Sequence, residues 1–221
     1  MKRAIIESRP YLLLSLLFGI SYFFVNDSNI PGVFLMLWKS SAVGFLAVYA
    51  LRRAHNLDGM LIAAVMAFGA LGDMLIEFDL MAGAGAFIVG HCIAIGLYWR
   101  HRRAKTSFSQ KTLAILLVPV TIFIGWSLPF SREEAPGIAI YSLFLAVMAA
   151  MAWTSSFPRY RVGVGALLFV ISDLFIFSRM GFLAHSAIPD WTIWPLYYVG
   201  QFLIVIGVVR TLRKEMAVPN P

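Results

Sequence analysis

Apolar residues in this chain fall in long runs broken by short polar connectors. Eight runs approach the roughly 20 residues an α-helix needs to cross bilayer hydrocarbon: 10–25, 31–51, 59–78, 82–99, 112–129, 137–154, 162–180 and 192–211. The first is the weakest, since its clean apolar part is short and Pro10 stands at its start, where a missing N–H has no helical partner to lose. Lys2 and Arg3 ahead of it give it the look of a signal peptide. No small-x-small cleavage site follows, and Asn26, Asp27, Ser28 and Asn29 lead straight into the next run, so an uncleaved first span is expected. Turn formers occupy the connectors at 29–32, 132–137, 155–158 and 185–190. No soluble domain, linker or low-complexity stretch remains. The pattern predicts an all-α protein whose residues 1–221 form a single domain of eight transmembrane helices.

Composition narrows the class further. Hydrophobic residues make up 60% and charged residues 13%, with a mean hydropathy of +0.81. Soluble domains average about 45–50% apolar and about 25% charged, so an ordinary globular protein is excluded. The single cysteine, Cys92, excludes an intrachain disulfide and a Cys-rich metal cluster. A net charge of +7 raises nucleic acid as a partner, and the position of the charges answers it. Fifteen of the 18 basic residues fall in alternate segments: Lys2, Arg3 and Arg9; Arg52 and Arg53; Arg100, Arg102, Arg103, Lys105 and Lys111; Arg159 and Arg161; Arg210, Arg213 and Lys214. The other connectors hold only Arg132 and Arg179, and Lys39 lies within a span. Basic residues stay on the cytoplasmic side, which predicts an N-in/C-in topology and leaves no charge needing nucleic acid. The run at 100–105 also suits anionic lipid headgroups.

A weak repeat is visible. Gly72-Asp73-Met74-Leu75-Ile76 parallels Ser172-Asp173-Leu174-Phe175-Ile176, and Val89-Gly90-His91 parallels Val199-Gly200-Gln201, with Gly96 and Gly207 following. With four spans per half, this suggests two parallel repeats about an axis along the membrane normal.

Ionisable groups at bilayer depth cost about 2.5–3.5 kcal/mol each on insertion scales and usually face a cavity. Five stand out: Lys39, Asp73, Glu77, His91 and Asp173, with Tyr141, Ser172, Tyr197, Tyr198 and Gln201 as polar neighbours. The predicted topology places them between the midplane and the non-cytoplasmic surface, so one polar cavity is the economical reading. Asp73 and Glu77, four residues apart, share a helical face and offer an acid and a base; Tyr197 and Gln201 share a face likewise. Each has a plainer explanation. Glu77 suits the interface, Lys39 a counter-ion, His91 a helix-packing hydrogen bond and Tyr197 an aromatic belt. Asp73 and Asp173 have the weakest such explanation. A zinc site fails for want of ligands, since only His91 among the histidines lies in a span, and a Cys–His nucleophile fails because adjacent His91 and Cys92 point apart. Gly83-Ala84-Gly85 reads as a flexible start to span four.

In order along the chain come Lys39, Gly72-Asp73 with Leu75 and Glu77, Ala86-Phe87 through Gly90-His91, and Tyr141. Gly165-Ala166, Phe169, Ser172-Asp173, Tyr198 and Gln201-Phe202-Leu203-Ile204 follow. This ordered set resembles the YhhN-like family, the lysoplasmalogenases, over spans two to eight; span one contributes nothing recognisable. The resemblance implies hydrolysis of the vinyl-ether bond of a lysoplasmalogen to a fatty aldehyde and glycerophosphoethanolamine or glycerophosphocholine. Such chemistry needs a carboxyl proton donor and a second carboxylate that stabilises the cation and activates water, as in glycosidases. Asp73 and Asp173 are the expected pair, with neither order of roles preferred. Glu77 would tune the pKa or share the proton, and Lys39 and His91 would hold phosphate or orient water. Tyr141, Ser172, Tyr198 and Gln201 would line the site. No metal or organic cofactor is required, and the partners expected are a lysophospholipid substrate and membrane lipid. The expected location is a bacterial cytoplasmic (inner) membrane.

The rival is a small proton-coupled secondary transporter built on the same carboxylates and lysine. Against it stands the lack of broken helices, with Pro119 the only mid-span proline. A purely structural role leaves the shared depth of the polar residues unexplained.

Overall fold

Cap and turn residues decide where each apolar run becomes a helix. The computed structural model describes residues 10–26 and 28–217. Its helices are α1 (Pro10–Val25), α2 (Gly32–Arg53), α3 (Leu57–Leu75), α4 (Leu80–Arg100), α5 (Phe108–Ser127), α6 (Ala135–Thr154), α7 (Val164–Ser178) and α8 (Ile188–Met216). A π-helical turn, Arg159–Gly163, leads into α7. The fold is all-helical, without a strand among the described residues. The expected charges at Lys2, Arg3 and Arg9, and Asp27 of the first connector, lie outside the described residues. At the start of α3 the Asn56 side chain accepts from the Gly59 N–H at 2.8 Å. Ser107 and Gln110 cap α5 reciprocally, and a proline stands in the first turn of α6. Each device covers or removes N–H groups that no helical carbonyl reaches.

Three expectations are corrected. The third helix ends at Leu75 and not near 78, because Asp79 accepts from the Ala82 N–H at 2.6 Å and starts α4 early. Glu77 therefore lies in the turn and not on the helical face of Asp73. Secondly, α8 begins at Ile188, whose N–H is met by the Ser186 hydroxyl, and Asp190 in the first turn favours a helix N-terminus. Pro195 is thus inside a helix, so Pro119 is not alone. Thirdly, Gly83 is a close-packing position within α4 and not a flexible start. A Cβ there would lie 2.8 Å from the backbone nitrogen of Ile76.

The chain forms two compact units, divided inside α4 and α8. One contains the described residues up to Leu97 and from Val205 onward; the other is Tyr98–Ile204. In the first unit α1 and α2 run antiparallel. Ser15 Oγ donates to the Ala42 carbonyl at 2.6 Å, and Trp38 Nε1 donates to Ser21 Oγ at 2.9 Å. Val43, Leu46, Ile62 and Met66 are fully buried between α2 and α3. Against α3, α4 brings Phe87 over Gly72 and Gly90 beside Phe68.

In the second unit α5, α6 and α7 run up and down with connectors at alternate ends. Arg102 bridges Ser155 at one end, and Pro129 bridges Gly181 at the other. The first end carries the basic run at 100–105 with Arg159 and Arg161, the second only Arg132 and Arg179. The core is rich in alanine, including Ala146, Ala149, Ala152 and Ala166. Small residues permit close helix contact where lipid supplies no hydrophobic drive. α7 and α8 meet backbone to backbone, where a Cβ on Gly165 would stand 2.6 Å from the Gly200 carbonyl.

Seven helical stretches, α2 to α6, Arg159–Ser178 and α8, are long and apolar enough to cross a membrane. The apolar α1 is shorter, at 16 residues. Large side chains such as Phe24, Phe34, Ile115, Phe123 and Phe182 face outward, an outer surface that suits hydrocarbon and not water. The chain is an integral multi-pass membrane protein.

Candidate functional site

Two buried aspartates, one in each unit, organise the polar residues. In the first unit Asp73 sits near the C-terminal end of α3 with 3% of its surface exposed. Glu77, just beyond that end, accepts from Lys39 Nζ of α2 at 3.0 Å. The Lys39 side chain is 17% exposed and that of Glu77 46%, so this ion pair faces its surroundings on the glutamate side. The ammonium is also within electrostatic reach of Asp73 and of the Tyr22 hydroxyl on α1. Lys39 thus pairs with Glu77 and lies in the field of the Asp73 carboxyl.

His91 is buried on α4 while its neighbour Cys92 is exposed, so the two do point apart. The adjacent Gly90 packs against Phe68 and Val65. That register places His91 about 8 Å along α3 from the level of Asp73, at ~1.5 Å per residue.

In the second unit Asp173 is 4% exposed and accepts from the Tyr141 hydroxyl at 2.6 Å. The Tyr141 ring stands edge-on to Phe177, with centroids 5.6 Å apart, which fixes the direction of its hydroxyl. Beside Asp173, Ser172 Oγ donates to the Ile193 carbonyl at 2.9 Å and so ties α7 to α8. One turn from that tie, Tyr197 meets Phe169 edge-on at 5.1 Å, and Trp194 stacks on Tyr198 at 5.7 Å.

The pairing of Ser172 with Ile193 and of Gly165 with Gly200 sets the register of α7 against α8. Gln201 consequently lies opposite Gly165, roughly 13 Å along the helix from the level of Asp173. It is 2% exposed, and its Oε1 has no hydrogen-bond partner among the described residues. Lys39, Asp73 and Glu77 are therefore brought together, as are Tyr141, Asp173 and Ser172, while His91 and Gln201 sit at other levels of their own units. Among the described residues no three His, Cys, Asp or Glu side chains gather as a metal site requires.

Sequence reasoning missed Tyr22 and Trp194, and it named Phe169 only as part of the family resemblance. Tyr22 near the end of the first span reads by default as an interfacial belt residue. Only the antiparallel packing of α1 on α2 turns it toward Lys39.

These features define a polytopic helical membrane protein with a buried aspartate in each of two helical units, each supplied with polar neighbours. Residues 34–208 match the YhhN family, and the chain belongs to that family. The match begins after α1, in line with a first span that carries no recognisable motif. Neither the curated proteins nor the solved structures yield a match.

Proposed function

We propose that this protein is a lysoplasmalogenase-type hydrolase of alkenyl ethers. The YhhN family is associated with that activity, and the reading is carried by Asp73 and Asp173. Both are almost fully buried in apolar helices, where nothing but chemistry or pairing favours an aspartate. In the reaction a carboxyl proton is transferred to the β-carbon of the vinyl ether, leaving an oxocarbenium ion. Water adds to the α-carbon and gives its proton to a carboxylate. The hemiacetal then breaks its bond to the glycerol oxygen, which takes up a proton as the hemiacetal hydroxyl loses one. One water is consumed, and a fatty aldehyde and a glycerophospho-ethanolamine or -choline leave. We assign the proton transfers to the Asp73 and Asp173 carboxyls. Tyr141 orients Asp173 through its hydroxyl, and Lys39 with Glu77 sets the charge around Asp73. The unpaired Gln201 Oε1 and Tyr198 are assigned to the path of the lysolipid, and His91 to orienting water or phosphate.

The same proposal includes eight spans in one domain, N-in/C-in, with two parallel four-helix repeats. On that topology Glu77 faces the non-cytoplasmic side. Phe78, which is exposed, tests it in a Cys92→Ala background. Phe78→Cys should react with an impermeant maleimide added outside right-side-out vesicles. Labelling only from the cytoplasmic side reverses the topology.

The activity is tested by aldehyde release from a lysoplasmalogen by purified protein, beside folded Asp73→Asn and Asp173→Asn variants. Turnover by the wild type and its loss in both variants is the expected result. Turnover that survives in one variant would keep the hydrolase and remove that aspartate from the chemistry. No turnover on any lysolipid headgroup would sink the hydrolase reading and favour proton-coupled transport.

A further inference from the structure

The connectors that carry the basic run at 100–105 and Arg159 and Arg161 are built as one platform. Arg102 bridges Ser155, the Ser156 N–H donates to the His101 carbonyl at 2.7 Å, and Arg103 Nε donates to the Ser155 carbonyl at 3.2 Å. Phe157, fully buried, lies under both connectors, 4.6 Å from the His101 ring and 6.2 Å from that of Tyr98. Two loops that could have fluctuated independently are thereby held together.

Charge on this platform is of one sign. Residues 98–132 and 153–172 contain no aspartate or glutamate. Arg100, Arg102, Lys105 and Arg161 are exposed. The arginines are also set on aromatic faces. The Arg102 guanidinium lies 5.3 Å from the Trp99 ring centroid, and that of Arg159 lies 5.7 Å from Trp153 and 5.2 Å from Tyr160. Trp99 and Tyr160 are 61% and 77% exposed, which marks this end as the level where amphipathic rings meet lipid headgroups. Arg159 Nε is buried without a hydrogen-bond partner among the described residues. Charge segregation alone requires basic residues on these connectors, but not that the two loops be locked together or that the guanidiniums be aligned on rings.

We propose that this platform is a docking surface for anionic phospholipid headgroups of the surrounding bilayer. Several positive charges in a fixed array attract a layer of phosphodiester charge more strongly than they attract one free anion. The exposed rings at the same level favour a lipid over a soluble phosphate.

The test uses the full chain in phosphatidylcholine vesicles containing brominated dioleoyl-phosphatidylglycerol, and at equal mole fraction brominated phosphatidylcholine. Bromine quenches tryptophan fluorescence on contact, and Trp99 and Trp153 report on the platform. The anionic lipid should quench more strongly than the zwitterionic one. This preference should fall at least tenfold, as a ratio of binding constants, in the triple variant Arg102→Gln, Lys105→Gln, Arg161→Gln, since each charge near a membrane surface contributes several-fold. The three are exposed, so folding should persist. A control triple on α8, Arg210→Gln, Arg213→Gln, Lys214→Gln, should keep the preference. Equal quenching by the two lipids, or equal loss in the control, would overturn the proposal. Displacement of the anionic lipid by millimolar inorganic phosphate would replace it with a simple anion site.

Discussion

Gly165 is the most informative single position for the packing that supports Asp173. A Cβ at this site would lie 2.6 Å from the Gly200 carbonyl oxygen, 3.0 Å from Ile204 Cγ1 and 3.1 Å from Leu203 Cβ. The nearest atom is backbone and cannot rotate away, and the reciprocal Cβ on Gly200 would stand 2.7 Å from the Gly165 carbonyl. Gly165→Ala must therefore part α7 from α8 by roughly 0.7 Å, a gap that forfeits a quarter to a half of each dispersion contact across it. Overpacking of this kind costs about 1–3 kcal/mol, and alanine in place of glycine in a helix returns about 1 kcal/mol. Gly96→Ala in α4 isolates the second effect, because nothing lies within 4 Å of its added Cβ. Unfolding in mixed micelles titrated with SDS should show Gly165→Ala less stable than Gly96→Ala by about 2 kcal/mol. The parting should also disturb the Ser172–Ile193 hydrogen bond and the Phe169–Tyr197 contact along the same interface. Equal stability of the two variants would refute the claim that the α7–α8 contact is closed at backbone distance.

Further outcomes follow from the two aspartate centres and the platform. Tyr141→Phe should lower stability by about 1–3 kcal/mol, because it removes a hydrogen-bond donor from the buried Asp173 carboxyl. In an Asp173→Asn background its effect should shrink, as a double-mutant cycle by SDS unfolding would show. Lys39→Met should destabilise by about 1–2 kcal/mol, between the values for exposed and buried pairs because Glu77 is half exposed. Glu77→Gln should recover part of that loss in the double variant, and strictly additive effects would contradict the pairing. Phe157→Ala should cost about 3–5 kcal/mol, and limited proteolysis should then cut the connectors on both sides of the platform and not one alone.

Much of the architecture was legible before any coordinates. Runs of apolar residues near bilayer length are a strong signal, because a backbone in hydrocarbon must satisfy its polar groups within the helix. The alternation of basic connectors was equally plain, and in the second unit the basic connectors gather at one end and the others at the opposite end. Helix boundaries were less legible. Asp79 is a cap that ends one run and begins the next, and the run from 59 to 78 reads as unbroken when hydropathy alone is followed. The two aspartates stood out as costly residues in apolar surroundings. Their neighbours did not: Tyr22 was not singled out, and Gln201, expected to line the same site, lies between two and three turns from Asp173 in the α7–α8 register.

The sequence by itself determined the solvent this protein folds in, the helical class and the identity of its buried charges. Each of those follows from the transfer free energy of residues taken one at a time or in local runs. Tertiary structure alone decided which charge answers which. Lys39 reaches Glu77 across 38 positions and Tyr141 reaches Asp173 across 32. Such pairings depend on how glycine and alanine surfaces let antiparallel helices settle in register, and a shift of one turn moves every side chain by about 5.4 Å.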